Sequence, residues 1–165
     1  MKFNTKKLTA LAVTVSLALI LSFIESRIPA FVAIPGIKVG LANIAVIFTL
    51  YKVGYPEAVA VSILRVLLVS FLFGTPVSLI YSISGAALSL ISMILLHRLT
   101  RLSEVTVSVC GGVMHNIGQI AAASFMLSTN VVVYYLPFLL VSGTLAGIAI
   151  GVASAILVKR IKIKI

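Results

Sequence analysis

Hydrophobic positions fall into six runs, at about residues 8–24, 39–53, 57–73, 76–96, 105–127 and 134–158, parted by short polar breaks. Most are close to the roughly 20 apolar residues that a helix needs to cross a bilayer. The breaks carry helix-stopping chemistry: Pro29, Pro35 and Gly36 after the first run, Gly54-Tyr55-Pro56 after the second, and Gly74-Thr75-Pro76 after the third. His97, Arg98, Arg101 and Glu104 form a charged loop after the fourth, and Ser128-Thr129-Asn130 starts the loop after the fifth. The pattern predicts an all-α, polytopic membrane protein: a bundle of six transmembrane helices in one domain covering residues 1–165. The second run is short for a full crossing. It predicts a helix in a thin region of membrane, or a preceding loop that dips into the bilayer.

Composition agrees. Of 165 residues, 61% are hydrophobic and 10% charged, more apolar surface than a soluble chain of this length can bury. The chain has no Asp, and its carboxylate side chains are Glu25, Glu57 and Glu104. An Asp-rich Mg²⁺ site is therefore excluded from this chain alone. With Cys110 the sole cysteine, an internal disulfide is impossible, and no metal site or cofactor is expected.

The net charge of +10 would suit nucleic acid, but its distribution assigns it to topology. With the N-terminus cytoplasmic, Lys2, Lys6, Lys7, Lys52, Arg98, Arg101, Lys159, Arg160, Lys162 and Lys164 all lie inside. Arg27 and Lys38 lie outside, and Arg65 lies within the membrane. The positive-inside rule places both termini in the cytoplasm; the basic ends meet anionic lipid rather than nucleic acid. The basic start before an apolar run is not read as a signal peptide, because no A-x-A-like cleavage site follows.

The polar residues inside the runs are the informative exceptions. His115 and Gln119 are four apart, and so share a helix face, with Asn116 beside it. Side chains of this kind at membrane depth face a cavity or another helix: they are the wall of a binding site, or interhelical hydrogen-bond glue. Arg65 falls near the centre of the third run. An arginine there costs about 2.5–3.5 kcal/mol on insertion scales and needs an anion, carbonyls or water. Either it pairs internally with Glu25, or its guanidinium takes a carboxylate or phosphate of a ligand. Lys38 assists at the mouth or is a solvated loop lysine, and Asn43 is a ligand contact or glue. Placed by depth, these residues run from the midplane to the outer surface, which predicts an outward-open polar pocket roofed by residues 25–40.

Two small-residue stripes complete the pattern. Gly143, Gly147, Gly151 and Ala155 on the sixth run predict close internal packing. Ala10, Thr14 and Ala18 on the first run predict internal packing or docking of a partner membrane protein.

Several of these residues also carry a resemblance. Glu25…Ile28-Pro29, Pro35-Gly36-Ile37-Lys38-Val39-Gly40-Leu41-Ala42-Asn43, Arg65-Val66-Leu67-Leu68, His115-Asn116-Ile117-Gly118-Gln119 and Tyr135-Leu136-Pro137 resemble the bacterial Gx transporter family, also labelled heptaprenyl diphosphate synthase component I. The resemblance spans nearly the whole chain. Its family looks related to the substrate-binding S components of energy-coupling factor (ECF) vitamin transporters. It implies a multi-pass protein of the bacterial cytoplasmic (inner) membrane with an outward pocket. It also implies a coupling subunit docked on helix 1, where Thr14 interrupts an A-x-x-x-A pattern, and partner ATPases.

Two functions follow. One is a non-enzymatic, substrate-binding subunit of a small-molecule transporter, with an anionic, vitamin-like or isoprenoid-related ligand. It would depend on partners for ATP, because the chain has no P-loop. The other is a non-catalytic membrane accessory of heptaprenyl diphosphate or isoprenoid quinone synthesis. A purely structural membrane anchor is a third possibility.

Overall fold

The structure is a computed structural model that describes residues 5–27, 40–100 and 102–162. Lys38, most of the predicted roof of the pocket and Arg101 therefore lie outside the described residues. Among the described residues the chain is helical, without strands: α1 (Thr5–Arg27), α2 (Asn43–Lys52), α3 (Tyr55–Phe73), α4 (Pro76–Leu99), α5 (Glu104–Leu127) and α6 (Leu136–Arg160). A short 3₁₀ turn, Val131–Tyr135, leads into α6.

The local chemistry sets these boundaries. Thr75 caps α4 by accepting from Ser78 N–H at 3.2 Å, the Ser78 hydroxyl accepts in return from Thr75 N–H at 2.8 Å, and Pro76 opens the helix. Ser103 accepts from Thr106 N–H at the start of α5, and Pro137 sits in the first turn of α6. Glu57 and Glu104 lie in the first turns of α3 and α5, where a carboxylate complements the positive end of the helix dipole. Ser128, in left-handed conformation, stops α5.

Each of the six apolar runs becomes a helix, and the second is the short one, as its run predicted. Among the described residues, four segments are long and apolar enough to cross a membrane by length and composition: α1, α3, α4 and the 131–160 segment. α5 has the length, at 24 residues, but His115, Asn116 and Gln119 dilute its apolar character. α2 has 10 residues, about 15 Å at 1.5 Å per residue and half of a hydrocarbon core. The chain approaches it at Gly40, which lies against Ile150, well inside the run of α6 rather than at its end. α2 is also the best-buried element, with Ala45 to Leu50 all buried. It forms the centre of the core with Ala18, Ala58, Val61, Leu90, Met93, Val107 and Ile150.

Around α2, α5 is packed between α4 and α6, and α1 lies against α3 and α2. The α5–α6 contact is made backbone to backbone. A methyl group added at Gly147 or at Gly151 would lie 2.6 Å from Val109 Cα or Val105 Cα respectively. The glycine stripe of α6 thus serves internal packing. Outward faces are apolar: Val13, Ile20, Leu67, Phe71, Ile91, Val141 and Leu145 are exposed.

The cations collect at one end of the bundle. Lys7 pairs with Glu57 at 3.1 Å, tying the start of α1 to the start of α3. The Tyr51 hydroxyl donates to the Leu102 carbonyl, and Tyr55 meets His97 Nδ1 at 2.9 Å. These contacts put the C-terminal ends of α2 and α4 beside the N-terminal ends of α3 and α5. Lys6 and Ile161 line one groove, which adds the end of α6. The opposite end is marked by the Phe23–Phe73 ring contact, 5.6 Å between centroids, and by Arg27 above Phe23.

Candidate functional site

The polar residues singled out in the sequence separate into two groups. The first lies where α1, the approach to α2, and α3 meet. On α1, Thr14, Ala18 and Ser22 are buried at four-residue spacing, and Glu25 continues this inward face. Its carboxylate accepts a hydrogen bond from Gly40 N–H. Gly40 has φ of +79°, a left-handed conformation that a side chain disfavours, so glycine here lets the amide turn toward the carboxylate.

Arg65 is on the α3 face that also buries Ala58, Val61, Ser62 and Val66. Its Nε is sealed from solvent and has no hydrogen-bond partner among the described residues. The residue as a whole is half-buried, so the accessible surface it retains belongs to its other atoms. Glu25 is near enough to act on the guanidinium electrostatically. Arg65 and Glu25 do not close to ion-pair distance, and the carboxylate is engaged by Gly40. Asn43 opens α2 nearby in sequence; its amide nitrogen lies 4.0 Å from Met93 Sδ, a weak contact.

The second group is on α5. His115 and Gln119 face α4: a methyl group at Gly85 would lie 2.9 Å from both side chains. Asn116 turns the other way and donates from Nδ2 to the Leu139 carbonyl of α6. It is therefore an interhelical tie, the packing role that the sequence left open. His115 and Gln119 share one face, as their spacing required.

Ala10, Thr14 and Ala18 also differ among themselves. Ala18 and Thr14 are buried, and the Thr14 hydroxyl bonds back to the Ala10 and Leu11 carbonyls. Ala10 and Thr14 line a groove between α1 and the end of α6. Among the described residues, no three of His, Cys, Asp and Glu converge as a metal site would require. Two features of the structure carried little signal in the sequence. Gly40 supplies a backbone donor, signalled only by its place in the P-G-x-K-x-G run. The Tyr51–Tyr55–His97 cluster, with the Tyr51 and His97 rings edge to face at 4.4 Å, was legible only as interfacial aromatics.

The family model described as heptaprenyl diphosphate synthase component I matches residues 14–157. The chain belongs to this family. The match takes in every residue of the two polar groups, from Glu25 to Gln119. No curated protein and no solved structure matches the chain. Membership of the component I family, with the apolar helices, makes this a membrane protein. The family description names an isoprenoid diphosphate synthase, yet the sequence contains no Asp.

Proposed function

We propose that this component I protein is a non-catalytic, six-span membrane subunit that binds a small anionic ligand in an outward-facing pocket, with both termini cytoplasmic. The observation that carries this reading is Arg65: a mid-helix guanidinium with a sealed Nε that has no partner among the described residues, beside a carboxylate already engaged by Gly40. A cation kept in that setting is costly without a counter-charge, and a ligand carboxylate or phosphate supplies one bidentately. Glu25 fixes the Gly40 turn and adds negative charge, which favours a ligand that also carries a donor or a positive group. His115 and Gln119 extend the polar surface on α5, with Asn43 and Lys38 as further contacts. The ligand class is a small carboxylate or phosphate compound, vitamin-like or isoprenoid-related. Transport would draw its energy from partner subunits of the ECF type, since the chain has no P-loop.

The family description favours a second reading, that of a membrane accessory to heptaprenyl diphosphate synthesis. Both readings take Arg65 as an anion contact and differ in the ligand. The test is a thermal-shift screen of small carboxylates, phosphates and prenyl diphosphates against the detergent-solubilised protein, repeated with Arg65→Ala. Stabilisation by a water-soluble carboxylate or phosphate, lost in the variant, supports the transport reading. Stabilisation by prenyl diphosphates alone, lost in the variant, supports the accessory reading. A ligand that protects both proteins equally removes Arg65 from the site.

A further inference from the structure

Two contacts fix how α1 and α3 lie side by side. Lys7 pairs with Glu57 at the cation-bearing end, and the Phe23 and Phe73 rings meet at the other. Both contacts join residues fifty apart in sequence, so the two helices run parallel in one register. That register sets Arg65 level with Val15. Glu25 stands ten residues further along α1, about 15 Å toward the Phe23–Phe73 end.

α3 does not close tightly over that interval. Its buried face ends at Val66, and Leu67 to Phe73 are half-buried or exposed. The inward face of α1 carries only small side chains there, Ala18 and Ser22.

The two charges that bound the interval are held apart. Opposite charges attract strongly where polarity is low, and Glu25 is near enough to act on the guanidinium. The Gly40 amide, with its φ of +79°, nevertheless keeps one carboxylate oxygen, and Arg65 Nε has no hydrogen-bond partner among the described residues. The interval thus has a cation at one end, an anion at the other and a combined charge of zero. A ligand with a single charge would leave that charge uncompensated at membrane depth, which is costly. A ligand with one pole for each residue leaves none.

We propose that the ligand of this site is a zwitterion, its carboxylate or phosphate at Arg65 and its ammonium group at Glu25, so that the ammonium points toward the Phe23–Phe73 end of the bundle. This rests on the reading of Arg65 as the anion contact, and it narrows the ligand that such a contact takes. The ten-residue offset sets a length as well: the two poles stand several bonds apart, further than in glycine.

The experiment is calorimetric titration of the full chain in detergent. The probes are ω-amino acids from glycine to aminohexanoate and aminoalkyl phosphates of the same lengths, each beside its amine-free counterpart. Wild type is compared with Glu25→Gln and Arg65→Ala. Glutamine keeps a side-chain oxygen for the Gly40 N–H, so Glu25→Gln removes the charge and preserves the turn, and without ligand it should melt like the wild type. The wild type should bind the longer zwitterions more tightly than glycine and more tightly than the amine-free compounds. Glu25→Gln should weaken the zwitterions by roughly 10- to 100-fold, the contribution of one charge-assisted hydrogen bond, while the amine-free anions bind as tightly as before or more so. A merely structural role for Glu25 would weaken both classes together. Arg65→Ala should lose both classes. Equal binding of zwitterions and amine-free anions by the wild type, lost in Arg65→Ala, would overturn the zwitterion and leave Arg65 as the anion contact. Zwitterion binding that survives Arg65→Ala would overturn both. Binding of none of the probes by folded wild type would overturn the zwitterion, and the thermal-shift screen would then decide the Arg65 reading by itself.

Discussion

Single polar residues in this protein acquire their meaning from what they touch. Asn116 and His115 are neighbours in sequence, yet Asn116 bonds to the Leu139 carbonyl of α6 while His115 faces Gly85 of α4. Asn116→Ala should lower stability by about 0.6 kcal/mol, the average for an interhelical hydrogen bond in a membrane, and by no more than about 1.7 kcal/mol, in a detergent melting experiment, and leave ligand affinity nearly unchanged. Gly40 is a different case. A methyl group there would be 4.0 Å from Ile150 Cδ1, an ordinary contact, so the space exists and the cost is conformational. Gly40→Ala should destabilise by about 1–2 kcal/mol and weaken ligand binding, because it displaces the amide that holds Glu25. An unchanged ligand Kd in Gly40→Ala would detach Glu25 from the site.

At the level of helices, the close approach of α5 and α6 is the most exacting contact. Gly147→Val would drive a branched side chain into the Val109 backbone, at a cost of about 1–3 kcal/mol or more. Val152→Leu, on the outward face of α6, should melt like the wild type. The stripe Gly143–Gly147–Gly151 was legible in the sequence because four-residue spacing of glycine has one structural use in an apolar helix. α3, α4, α5 and α6 were legible too, since Pro56, Pro76, Ser103 and Pro137 stand at or next to their starts. α2 was not. Its apolar run continues back to Val39, but Gly40 turns the chain, so the helix proper begins at Asn43. Periodicity cannot distinguish a short buried helix from a full span, because a residue that faces protein and one that faces lipid are equally apolar. The polar residues of the candidate site were legible as a list, and their partition into two groups was not. Glu25, His115 and Asn116 announce themselves by polarity, while what they meet is the Gly40 amide, the backbone at Gly85 and the Leu139 carbonyl on α6, which no side-chain pattern encodes.

For the whole molecule, the decisive arrangement is the gathering of Lys6, Lys7, Lys52, Arg98, Lys159 and Arg160 at one end, with Arg27 at the other. In a Cys110→Ala background, single cysteines at Lys52, Leu102 and Lys162 should be labelled from one side of the membrane, and cysteines at Thr75 and Thr129 from the other. Labelling of Lys162→Cys and Thr129→Cys from the same side would contradict an α6 that crosses. Both the transport and the accessory readings stand on this frame, and both require an anion at Arg65. The most direct measurement of that requirement is mass spectrometry of the small molecules retained by the detergent-purified protein, wild type against Arg65→Ala. A specific carboxylate or phosphate compound should be retained by the wild type and absent from the variant, with both proteins inserted and folded. The same compound retained equally by both would contradict it.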